Sequence, residues 1–121
     1  MRGRVLIIHW DEREGSEIRN DLESLGLEVQ LESEDGVKAY RTIEETRPDV
    51  VLIYLTRRPL EGMSNVASFL DRRTMTDIPM LFVGEESEKV AHFEDMLKVP
   101  SIRPRDRMIT ALKEVLDRKW M

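Results

Sequence analysis

Short apolar runs alternate along this chain with longer stretches in which apolar residues are spaced three and four apart. The central run is Val50-Val51-Leu52-Ile53-Tyr54-Leu55, held between Pro48 and the polar Thr56-Arg57-Arg58-Pro59. It is too short for a globular helix, rich in branched side chains and apolar at consecutive positions. That pattern predicts a strand covered on both faces. Val5-Leu6-Ile7-Ile8, ending in His9-Trp10-Asp11-Glu12, is a second such run. Ile78-Pro79-Met80-Leu81-Phe82-Val83 is another, with its proline at the entrance, where no ladder donor is needed. Leu27-Glu28-Val29-Gln30-Leu31 alternates instead, as a half-buried edge strand does. A short fifth strand is predicted over Val99 to Ile102, broken by Pro100.

Helical spacing fills the intervals. Ser16 is placed to cap a first helix carrying Ile18, Leu22 and Leu25, and Gly26 closes it as a left-handed cap would. Val37, Tyr40 and Ile43 form the stripe of a second helix, stopped by Pro48. Val66, Phe69 and Leu70 mark a third, and Val90, Phe93 and Leu97 a short fourth. A last helix from about Asp106 carries Ile109, Leu112, Leu116 and Trp120 on one side, with Arg118 and Lys119 suited to its C-terminal dipole. Strands alternating with helices in this way predict an α/β fold: a doubly wound, five-stranded parallel sheet of order 2-1-3-4-5 with helices on both faces. The first, third and fourth strands are then central. The loops after their carboxyl ends share one pocket, where such sheets carry their sites.

Composition narrows the function classes. At 121 residues the chain reads as a single domain over 1–121. A net charge of −5 argues against general nucleic-acid binding. The absence of cysteine excludes disulfides and thiolate metal sites and fits a reducing cytoplasm. No apolar run approaches membrane-spanning length, and the first residues lack the apolar core of a signal peptide.

Several segments share one further property, their order. The stretch from Val5 to Val29 runs strand, helix and Gly26-Leu27-Glu28-Val29 without a gap. Asp35-Gly36-Val37-Lys38-Ala39, Pro48-Asp49-Val50-Val51-Leu52-Ile53, Pro59-Leu60-Glu61-Gly62 and Ile78-Pro79-Met80-Leu81 follow it. Taken together they resemble the receiver domain of response regulators, the CheY-like phosphoacceptor module of two-component signalling, whose sheet is flavodoxin-like. The resemblance covers essentially the whole chain.

It also implies where the chemistry would sit. The family's two adjacent metal-binding acids fall on His9 and Trp10, its phosphoacceptor aspartate on Tyr54, its hydroxyl residue on Gly84 and its lysine on Arg103, followed by Pro104. All of these differ from the family's residues. Arg103 keeps the charge, although a planar fork is not a lysine's point charge. Phosphoryl transfer to a carboxylate needs that carboxylate, a metal to gather phosphate charge, and a cation. The matching positions here offer neither of the first two, so no enzyme activity, no metal and no cofactor are expected. Tyr54 is then an aromatic side chain filling the space left by metal and carboxylate.

The expected function is a degenerate, pseudo-receiver domain of two-component-type signal transduction, a phosphorylation-independent protein-interaction module in the cytoplasm. Its partner is expected to be another signalling protein, an effector domain or a second copy of the chain, with no direct contact to nucleic acid or membrane. The family uses its fourth helix, fifth strand and fifth helix for such contacts. An alternative follows from Arg57, Arg58, Arg103 and Arg105, which lie at the same end of the predicted sheet. An arginine-rich rim there suits a sensor of small anions or nucleotides, unless Asp11, Glu12, Glu61, Glu85 and Glu86 neutralise it in solvated pairs.

Overall fold

Backbone pairing joins four of the predicted strands into one parallel sheet. The computed structural model describes residues 1–9, 11–33, 36–54, 78–83 and 107–119. Within them, β1 (Arg4–Ile8), β2 (Glu28–Glu32), β3 (Val50–Tyr54) and β4 (Met80–Val83) lie in the order β2-β1-β3-β4. Val5 is level with Val29 on one side and Val50 on the other, and Tyr54 is level with Val83. This is the first part of the expected order. The fifth strand over 99–102 and the helices expected around 66–70 and 90–97 lie outside the described residues.

The described helices are α1 (Glu12–Ser24), α2 (Gly36–Thr46) and α3 (Met108–Lys119). One core gathers Val5, Ile7, Val50, Leu52, Tyr54 and Val83 from the sheet with Leu22 of α1 and Met108, Leu112 and Leu116 of α3. Since side chains alternate along a strand, Leu6, Ile8, Val51, Ile53 and Phe82 point to the other face, and they are just as buried. The chain moves one way across the sheet from β1 to β2 and the opposite way from β2 to β3. Right-handed crossovers therefore put α1 and α2 on opposite faces, and Ile43 of α2 is fully buried. β3 is buried along its whole length, as a run with no polar position requires.

Three details differ from the sequence reading. The cap of α1 is Asp11, not Ser16: its carboxylate accepts the Glu14 amide at 3.1 Å, so the helix starts earlier, at Glu12. At its other end Gly26 has φ +96°, its amide donates to the Glu23 carbonyl and that of Leu27 to Leu22. In this Schellman arrangement the apolar contact is made by Leu22 and Leu27, and Leu25 stays exposed. On α3, Ile109 is 44% exposed, because the stripe is centred on Met108, Leu112 and Leu116 with Ala111 beside them, and Ile109 lies a quarter-turn away. Trp120 lies outside the described residues.

Candidate functional site

Parallel register decides which side chains meet at the carboxyl end of the sheet. Ile8 is level with Ile53, so the next residues on the two strands, His9 and Tyr54, come side by side. Their rings stack with centroids 4.9 Å apart and planes 28° from parallel. Both are almost completely buried, His9 at 2% exposure and Tyr54 at 3%. The His9 amide donates to the Glu32 carbonyl at 3.0 Å and so carries the β1–β2 ladder one residue past the strand.

The imidazole is also tied into the start of α1. The Asp11 amide donates to His9 Nδ1 at 3.0 Å, while His9 Nε2 lies 3.6 Å from Glu14 Oε2. An N–H can donate only to a nitrogen with a free lone pair, so Nδ1 carries no proton and the imidazole is the neutral, Nε2-protonated tautomer. In a capping box the third helical residue's carboxylate reaches back to the cap residue's own amide. Here His9 is inserted into that exchange: Nδ1 takes the amide, and Glu14 sits at the opposite nitrogen.

Gly15 lets the helix come this close. A Cβ on it would lie 2.7 Å from Leu31 Cδ1 and 3.3 Å from His9 Cβ. The first turn of α1 can approach β1 and β2 because that atom is missing. Any larger residue would force the Leu31 side chain to move and press against the His9 Cβ.

Of the site positions read from sequence, the structure brings His9 and Tyr54 together. Trp10, Gly84 and Arg103, and the rim arginines Arg57, Arg58 and Arg105, lie outside the described residues. Sequence reasoning missed the roles of Asp11, Glu14 and Gly15. A signal was present in Asp11-Glu12-Arg13-Glu14, where an acid is followed three residues later by glutamate just after an apolar run. Among the described residues no group of three histidine, aspartate or glutamate side chains is placed to hold a metal ion.

Comparison with known proteins bears on the fold. No protein-family model matches the chain. The chemotaxis protein CheY of Listeria monocytogenes is 24% identical over 100 residues, which is 80% of this chain and 84% of that protein. The chemotaxis protein CheY4 of Vibrio cholerae superposes with a TM-score of 0.76 at 17% identity, covering 95% of this chain and 99% of that one. The receiver domain of the Francisella response regulator 1452 does so with 0.77 at 17% identity, covering 97% and 98%. The fold is the receiver fold. In a receiver fold the carboxyl ends of β1 and β3 flank the switch point of the sheet, where the order of strands reverses, and His9 and Tyr54 occupy that place. Among the described residues no helix is long and apolar enough to cross a membrane.

Proposed function

We propose that this chain is a degenerate receiver domain of two-component-type signalling that acts by binding another protein, without phosphoryl transfer and without enzyme activity of its own. The observation that carries this reading is the buried stack of His9 on Tyr54. The resemblance read from the sequence implies that a metal-binding acid and the phosphoacceptor of the receiver pattern correspond to those two positions. An imidazole and a phenol packed ring on ring leave no carboxylate there to take a phosphoryl group. His9 Nδ1, the lone pair a metal would need, is already accepting the Asp11 amide. Partners of the kind receiver domains serve, a signalling protein or an effector domain, suit this reading.

Intact-mass spectrometry tests it. Wild-type protein incubated with acetyl phosphate and Mg²⁺ gains no phosphate mass. Tyr54→Asp alone gains none either, because the resemblance puts His9 and Trp10, neither of them an acid, where the family has its two metal-binding carboxylates. Restoration requires at least His9→Asp, Trp10→Asp and Tyr54→Asp together, in a variant first shown to be folded. A phosphate adduct on the wild type, or on Tyr54→Asp alone, overturns the proposal.

A further inference from the structure

We propose that His9 is a proton-responsive latch between the N-terminus of α1 and the end of β3. The inference rests on the partners of its two ring nitrogens and is independent of whether the domain accepts phosphate. Among the described residues, the titratable groups facing His9 are Asp11 and Glu14 from α1 and Tyr54 from β3. From β2 it meets the backbone carbonyl of Glu32.

Each protonation state has its own partner. In the neutral ring Nδ1 accepts the Asp11 amide, a bond that also positions the residue capping α1. When a proton from solvent binds Nδ1, both nitrogens become donors and the Asp11 amide loses its acceptor. Two N–H groups then point at one another, so the Asp11 amide must move off or the ring must rotate. The Glu14 carboxylate, 3.6 Å from Nε2, favours the imidazolium once it forms. Because the ring is stacked on Tyr54, its rotation also displaces the phenol at the end of the sheet. Burial of the ring opposes the imidazolium while Glu14 favours it, and the balance between them sets where the latch responds.

The test is a pH titration of the ¹⁵N-labelled full chain by NMR, following the imidazole nitrogens, the Asp11 amide and the Tyr54 ring. The expected result is the Nε2-protonated tautomer near neutrality. On acidification His9 becomes imidazolium, and the Asp11 amide and Tyr54 ring signals move with the same midpoint. Protection of the Asp11 amide from exchange, corrected for its intrinsic pH dependence, falls roughly fivefold, as expected for one hydrogen bond. In His9→Asn the side-chain oxygen can accept the same amide two residues on, as in an Asx turn, but does not titrate. That variant keeps the amide protected and loses the shared transition. An Nδ1-protonated tautomer at neutrality, or Asp11 and Tyr54 signals indifferent to His9 protonation, overturns the proposal from the wild-type data alone. Persistence of the transition in His9→Asn does so as well.

Discussion

The two ends of the sheet are secured by opposite means. At the amino end, Asp49 holds the start of β1: its carboxylate accepts the Arg4 amide at 2.8 Å and its own amide donates to the Arg4 carbonyl at 2.9 Å. Arg4 Nε lies 3.1 Å from Glu28 Oε2, with the two side chains 61% and 76% exposed. A shallow cleft of about 150 Å³ lined by Arg4, Glu28, Thr46 and Pro48 opens beside them. At the carboxyl end the polar groups of His9 are enclosed between α1 and the strands, and its ring lies on Tyr54. Water can replace a lost partner at the first end. It has little access to the second, where a lost partner leaves a buried group or a void.

That contrast predicts a graded series of stability changes, each read from urea unfolding of the isolated chain. The largest is at the carboxyl end. Tyr54→Ala removes a buried ring and the surface on which His9 stacks, and is expected to cost about 3 kcal/mol or more. A loss under about 1 kcal/mol would mean that the two ends do not differ as described. Gly15→Val comes next, at about 2 kcal/mol, because its Cβ already meets Leu31 and His9 and the branches add further bulk. Indifference to this change would deny the close approach of α1. Asp11→Ala removes the cap and should cost about 1 kcal/mol, with the amide of Glu14 exchanging faster than in the wild type. The smallest effect belongs to the amino end. Glu28→Gln is expected to change stability by less than about 0.5 kcal/mol, an effect that disappears in high salt. A change there as large as that of Asp11→Ala would break the comparison from the other side.

Much of the frame is legible in the sequence. Val5 to Ile8 and Val50 to Leu55 read as covered strands because they are apolar at consecutive positions, too short for a globular helix and rich in branched side chains. Leu27 to Leu31 read as an edge strand because its alternation leaves one side polar, and β2 is indeed at the edge of the described sheet. Gly26 read as a left-handed cap because the chain turns there directly after a helical stripe. The start of α1 was misread because Ser16 and Asp11 are both good caps. The choice between them depends on where β1 ends and how closely the helix approaches it, through Gly15. The stripe of α3 was assigned to Ile109 because three- and four-residue spacings fit equally well over two turns, and contact with the sheet selects Met108 instead.

The site divides in the same way. The chain by itself determined that His9 and Tyr54 end two buried strands and that a receiver-like order of segments surrounds them. It also determined that neither residue is a carboxylate. Tertiary structure alone decided that the two rings stack, because the contact depends on β1 and β3 being neighbours in one register, which no local pattern encodes. It alone decided that Glu14 faces His9, and that the imidazole takes the amide of the residue capping α1. The ring stack joins strands distant in the chain, and the two contacts to α1, though close in sequence, depend on how closely that helix packs against β1 and β2. Sequence periodicity reports which face a residue takes, whereas the partner it meets there is set by how the faces are packed together.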